Sequence, residues 1–316
     1  MKLENMLNIN ILITGGAGYI GSHLANFLSK KNINVFVIDD LSNGKKERLN
    51  KNISFHKVCI SNKKKISKLL LDNNISIIIH LAGKINAHES QKKRKEYLKI
   101  NYLYSKKLYE TAVNSNIKKF IFASTAAVYG DQKTLFKETD KTKPINIYGL
   151  SKLKFEKYLQ NNKEIDHVIL RFFNVAGNHY IKGSNFHKND SVILKLYKTY
   201  LKQKRVFCIS SNKKKQSTRR DFIHIIDLIK IIETTIFNKK KFLKLNCGYG
   251  KSVSILEIVN EFEKKYKKKF KKIFKIKKTS DPLEVIADTS KLNKLFNIPL
   301  KYNSTRKIIS KIKFTN

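Results

Sequence analysis

The chain has 316 residues, 41% of them apolar, enough to bury a sizeable core and by length to form about two lobes. No apolar run reaches the ~18 to 20 residues that span a bilayer, and MKLENMLNINILITGG enters a strand pattern without a cleavable leader, so the expectation is a cytoplasmic protein with no membrane association. The 66 Lys and Arg exceed the 24 Asp and Glu by a net +42, but they are spread along the chain and show no aromatic interleaving on one face, as on a solvated surface and not as in a specific nucleic-acid site.

The first apolar run, INILIT (9–14), leads into TGGAGYIGSH, with Gly15-x-x-Gly18-x-x-Gly21 and, through Gly16, also G-x-G-x-x-G. One position of such a motif needs a residue without Cβ for a tight turn, another for approach of the backbone to a pyrophosphate, the third for packing of helix on strand. The helix beginning near Tyr19 then offers its positive end to phosphates. The second run, VFVID (35–39), ends on Asp39, about 20 residues on, where a carboxylate accepts hydrogen bonds from a ribose 2′-hydroxyl and repels a 2′-phosphate; NAD is favoured over NADP. SIIIHLA (76–82), FIFAST (120–125) and HVILRFF (167–173) follow. Runs without polar alternation suit strands buried on both faces of a parallel sheet, and helical periodicity at 22–30, 63–71, 95–114 and 147–159 supplies the crossovers.

After residue 173 the rhythm breaks at NHYIKGSNFHKNDS. The predicted architecture is α/β: a Rossmann-type doubly wound parallel sheet over 1–173, returns to the sheet near 221–246, and a smaller C-terminal α/β lobe over 174–316 that is mainly substrate-binding. Cys59, Cys208 and Cys247 are odd in number and widely spaced, with no CxxC pair, so neither a disulfide framework nor a metal site is expected.

Tyr148 and Lys152, in NIYGLSK, stand at i and i+4 and share one helix face. An ammonium beside a phenol makes it a base: bringing a Tyr from ~10 to near neutrality takes ~4 kcal/mol, which a lysine and a positive nicotinamide together supply. In a chain this rich in Tyr and Lys the spacing alone carries little weight.

Together TGGAGYIGSH, FASTAAVYGD and YGLSK, with DDLSNG (39–44), IIHLAG (78–83), RFFNVAGN (171–178), RRDFIHIIDL (219–228), NCGYGKSVSILEIV (246–259) and ADTSKL (287–292), resemble the extended short-chain dehydrogenase/reductase family, and within it the branch that inverts C4 of UDP-hexoses. The resemblance implies an NAD enzyme in which Tyr148 takes the proton of the sugar 4-hydroxyl, Lys152 lowers its pKa and holds the nicotinamide ribose, and Thr125, with Ser124 beside it, partners the hydroxyl. It assigns Gly15, Gly18, Tyr19, Ile20, Gly21, Asp39 and Asn43 to the cofactor. Asn174, Arg220, Lys278 and Asp281 go to the UDP-sugar, the arginine through its two-pronged fork. It also implies a homodimer built on the helices at 95–114 and 147–159, with the UDP-hexose as its small-molecule partner.

Dehydratases of this family carry an Asp-Glu pair after the Ser/Thr; here Ala126 and Ala127 stand there and move no protons. Four places depart from the pattern. Cys59 replaces an adenine-binding Asp, Lys84 falls one place early, Asn189 to Ser191 do not align with the usual substrate loop, and Lys278 replaces an arginine. Two other readings stay open: another nucleotide-sugar epimerase or a reductase of the same family, and a basic nucleic-acid-binding protein on an inherited fold.

Overall fold

The computed structural model describes residues 9–132, 134–177, 192–202, 206–211, 217–276 and 282–310. In chain order the first half runs β1 (Asn10–Thr14), α1 (Tyr19–Ser29), β2 (Asn34–Asp39), β3 (Ser54–Lys57), α2 (Lys63–Asp72), β4 (Ile77–His80), α3 (Ala87–Lys92), α4 (Arg94–Leu98), α5 (Ser105–Val113) and β5 (Lys119–Thr125). Next come β6 (Leu135–Phe136), α6 (Ile147–Asn161), β7 (Asp166–Phe172), β8 (Asn174–Ala176), α7 (Val192–Leu201), β9 (Val206–Ser211), β10 (Arg219–His224) and α8 (Ile225–Ile236). The chain closes with β11 (Phe242–Cys247), β12 (Ser252–Ser254), α9 (Ile255–Tyr266), β13 (Lys271–Ile276), β14 (Glu284–Ala287), α10 (Ser290–Phe296) and α11 (Thr305–Ser310).

Seven strands form one parallel sheet in the order β11-β7-β5-β4-β1-β2-β3. Its apolar runs are buried on both faces, as their lack of alternation requires. Leu24, Leu28 and the isoleucines of α8 pack against Ile11, Ile13 and Val168 on one face; Leu69, Leu108, Phe155 and Leu159 pack against Leu12, Ile78 and Phe120 on the other. The strand order reverses between β1 and β4, which opens a crevice at the carboxyl ends of those strands where ligands of doubly wound sheets bind.

A second sheet, β12-β10-β14-β6 with β8 paired to β10, and a β9–β13 pair build the remainder around Phe222, Val259 and Phe262. The helix predicted over 95–114 is not continuous: α4 passes into a π-turn at Lys99–Tyr104 before α5 begins. Such a turn widens the backbone ring by one residue and is common where a helix must present a group to a site. Asn101 lies in it, fully buried. Among the described residues no helix is long and apolar enough to cross a membrane, and no cluster of His, Cys, Asp or Glu suits a metal.

Candidate active site

The glycine turn after β1 has the close contacts its residue types demand. Gly15 is held at φ +68, and a Cβ there would lie 2.7 Å from the backbone of Ala82. At Gly21 a Cβ would sit 2.3 Å from the Gly15 carbonyl oxygen, so the first turn of α1 packs directly on the loop. Gly18 caps α1 without a side-chain hydrogen bond, and no acidic residue occupies the first turn. The leading amides at Tyr19, Ile20 and Gly21 therefore stand at an uncapped positive end suited to a pyrophosphate. Tyr19 contributes its backbone there, while its phenol donates to the Gly177 carbonyl. Ile20 packs against the sheet core.

Asp39, at the end of β2, is buried and accepts from Ala17 N (3.1 Å) and Leu41 N (2.8 Å). Burial raises its pKa, opposed by those two backbone donors. A Cβ at Gly44 would come within 2.7 Å of its carboxylate, so DDLSNG wraps around the acid. Each oxygen keeps a lone pair for a ribose hydroxyl. These residues fit a dinucleotide without a 2′-phosphate. Asn43 is exposed on the same loop, and Cys59 is half-buried with its thiol 3.2 Å from the Ser61 hydroxyl.

Thr125 ends β5, and Tyr148 opens α6 behind the cap that Asn146 provides through Gly149 N (2.8 Å). The Thr125 hydroxyl stands close enough to the Tyr148 phenol to act on its ionisation. Between them lies the short turn of Ala126 and Ala127, pressed against α6 so closely that a Cβ at Gly149 would fall 2.4 Å from the Ala127 carbonyl oxygen. Burial raises the phenol's pKa, with the Thr125 hydroxyl working the other way. Lys152 donates to the Ala123 carbonyl (3.0 Å) and lies over the Phe122 ring (4.8 Å). Burial brings the Lys152 ammonium down to about 8, with Glu156 opposing.

Sequence reasoning missed Asn101. Its amide donates to Lys84 O (2.9 Å) and Ser151 Oγ (3.0 Å) and accepts from Lys84 N (2.8 Å). A Cβ at Gly83 would lie 2.8 Å from Asn101 Oδ1 and 3.3 Å from Lys152 Nζ, which sets Asn101 and the lysine side by side. Only a buried polar residue inside an apolar helical pattern could have signalled it. The Lys84 ammonium itself pairs with Glu96 (2.7 Å).

Ser124 is a correction. Adjacent residues of a strand point to opposite faces, so with Thr125 on the site Ser124 turns inward, where its hydroxyl donates to Glu156. Glu156 in turn pairs with Arg171 (2.6 Å), and both are buried. Ser124 thus belongs to the anchor behind α6. Asn174 is exposed at the start of β8, beside β10. Arg220 on β10 donates to the carbonyls of Arg219 (2.6 Å) and Leu283 (3.1 Å). Lys278, Asp281 and the 189–191 candidates lie outside the described residues. A cavity of about 560 Å³ lined by Glu257, Glu261, Lys264 and Arg306 shares none of these residues.

The family model described as the NAD dependent epimerase/dehydratase family matches residues 11–248. A UDP-glucose 4-epimerase of Azospirillum brasilense is 30% identical over 89% of this chain and 84% of its own length. The structure of UDP-glucose 4-epimerase from Bifidobacterium longum in complex with NAD+ and UDP superposes with a TM-score of 0.86 at 26% identity, covering 96% of both chains. A UDP-N-acetylglucosamine 4-epimerase from Methanobrevibacter ruminantium M1, in complex with UDP-N-acetylmuramic acid, gives 0.83 at 28% identity over 96% of this chain and 98% of that one.

Proposed function

The chain belongs to the NAD dependent epimerase/dehydratase family, and from that membership we propose that it inverts C4 of a UDP-hexose, UDP-glucose and UDP-galactose or their N-acetyl forms, through a 4-keto sugar. The observation that carries this reading is the loop after β5. Thr125 and Tyr148 face each other across Ala126 and Ala127, and among the described residues no carboxylate is hydrogen-bonded to either side chain. Elimination of water from a 4-keto sugar needs an acid and a base at that place; inversion needs neither.

Bound NAD supplies a hydride acceptor that is regenerated in each cycle. Tyr148 removes the proton of the 4-hydroxyl and returns it once the keto sugar has turned its other face. Thr125, beside the phenol, favours its ionised form. Lys152, close to its own ionisation midpoint near pH 8, holds charge in a buried pocket against Phe122 and the Ala123 carbonyl. Asn174 and Arg220, on neighbouring strands of the smaller sheet, would hold sugar and diphosphate, with Lys278 and Asp281 contributing from the segment before β14.

Relatives named as a UDP-glucose 4-epimerase and a UDP-N-acetylglucosamine 4-epimerase are the reason the reading keeps both plain and N-acetylated hexoses. We further read the protein as a cytoplasmic homodimer without specific affinity for nucleic acid. Leu103, 47% exposed on the π-turn beside α5, is an apolar residue that a partner helix would cover. The test is incubation of purified protein with UDP-galactose and, in parallel, UDP-N-acetylgalactosamine, following the C4 epimer without added reductant. Epimer from either supports the reading and the rate ratio sizes the pocket at C2; failure with both, in protein that holds NAD, overturns it in favour of another nucleotide-sugar epimerase or a reductase.

A further inference from the structure

Beneath the loop that follows β4 runs a buried string of hydrogen bonds that the chemistry above does not use. Ala82 N–H donates to Thr14 Oγ1 (3.3 Å), which lies 2.7 Å from His80 Nδ1. His80 Nε2 is 2.8 Å from Ser105 Oγ, and Ser105 Oγ donates to the Asn101 carbonyl (2.9 Å). Thr14, His80, Ser105 and Asn101 are all at most 1% exposed, so the string is shielded from bulk solvent.

Counting donors sets the direction of the string. The single hydrogen of Ser105 goes to Asn101, so Ser105 Oγ accepts from the ring and His80 Nε2 carries a hydrogen. A second hydrogen on Nδ1 would leave the Thr14 hydroxyl hydrogen without an acceptor, whereas a bare Nδ1 accepts it. The surroundings agree. The ring is walled by Phe120, Phe122 and Phe155, and the charged side chain that acts on it is Lys152 from α6. Burial first, then that ammonium, holds the imidazole well below its ordinary pKa.

The string ends at the π-turn. Asn101 braces the Gly83 turn through Lys84 N and O, and braces α6 through Ser151, whose hydroxyl donates to the Tyr148 carbonyl (2.7 Å). We propose that His80, with its one hydrogen on Nε2, is a positioning residue that ties the threonine of the glycine-turn strand to the Asn101 carbonyl, and so holds the Asn101 amide against both the Gly83 turn and the start of α6. Its effect on rate rests on Tyr148 and Lys152 being the reacting pair; the state of the ring does not.

Long-range nitrogen–proton correlation spectra of the NAD-bound wild-type protein read the ring directly. His80 is expected to show a protonated Nε2 and a bare Nδ1, unchanged from about pH 5.5 to about pH 9, where an ordinary histidine titrates. A ring that titrates in that window, or one protonated on Nδ1, overturns the proposal whether or not the protein turns over any sugar. Thr14→Val deletes the hydroxyl at constant shape, and Thr14→Ser keeps it. The valine variant is expected to lose roughly tenfold in kcat on UDP-galactose with KM little changed, the kinetic equivalent of one lost hydrogen bond, and the serine variant to recover most of it. Equal rates for the two variants would refute positioning through this string. A wild-type protein without epimerase activity would remove the functional reading, while the ring's spectrum still decides this one.

Discussion

Replacing Lys152 by Met should make the cofactor-free protein more stable at neutral pH and should flatten one component of its pH dependence. Lys152 is 3% exposed, and its pKa falls from the ordinary 10.5 to about 8 because burial penalises the charged form, with Glu156 opposing in part. The difference corresponds to about 3 kcal/mol by which the folded protein disfavours the ammonium. Below pH 8 both folded and unfolded chains carry the proton and the full penalty is present. Between about 8 and 10.5 the unfolded chain binds more protons than the folded one, so stability rises with pH. The wild-type protein should gain on the variant by about 1.4 kcal/mol between pH 7 and pH 9, and by about 2.5 kcal/mol by pH 10. Urea unfolding of both proteins, stripped of nucleotide, measures this, because every other titrating group is common to the two and cancels. The lost bond to the Ala123 carbonyl offsets the gain by about 1 kcal/mol at every pH and leaves the slope untouched. A wild-type-minus-variant difference that stays constant from pH 7 to pH 10 would refute the desolvation of this lysine.

Tyr148→Phe deletes only the phenolic oxygen and should lower kcat by about 10³-fold with NAD still bound, read by epimer formation and by nucleotide content after gel filtration; a variant keeping most of its rate would remove Tyr148 as the base. Glu156→Gln leaves the buried Arg171 guanidinium uncompensated and should cost about 3 kcal/mol, seen as a fall in Tm of roughly 5 to 10 °C. A shift under about 2 °C would mean that water reaches the pair. Gly21→Ala sets a methyl 2.3 Å from the Gly15 carbonyl oxygen, so α1 must move off the turn, and NAD should bind at least about tenfold more weakly in titration calorimetry. Unchanged affinity would take the phosphates away from this helix end.

Local physics is what the sequence carried. Unbroken apolar runs mark strands covered on both faces, and INILIT, VFVID, FIFAST and HVILRFF all lie in the large sheet because nothing but a parallel, doubly covered position buries them. Glycines at fixed offsets between a strand and a helix, and an acid at the end of the next strand, announce a dinucleotide turn from spacing alone. The i, i+4 pair of Tyr148 and Lys152 needs only a helix to share a face. Each of these rests on contacts within a few residues or on one repeating unit of backbone geometry.

Direction and competition between partners come from long-range packing. Which neighbour in Ser124-Thr125 faces the site depends on how β5 sits between α6 and the strands beside it, and the structure sends Ser124 to Glu156 and Thr125 to Tyr148. Lys152 bonds a strand carbonyl 29 residues away, and burial is the largest influence on its pKa and on that of Tyr148. Asn101 reads as an ordinary polar residue in a helix until the π-turn swings it against Gly83, and His80 as the end of an apolar strand until Thr14 and Ser105 close on its two nitrogens from 66 and 25 residues away. The sequence by itself determined the sheet, the glycine turn and the shared helix face of Tyr148 and Lys152, because those follow from local periodicity and fixed spacing. Only the tertiary structure decided which polar atoms meet in the dry interior, because a buried donor takes whichever acceptor the packing of distant segments brings within reach.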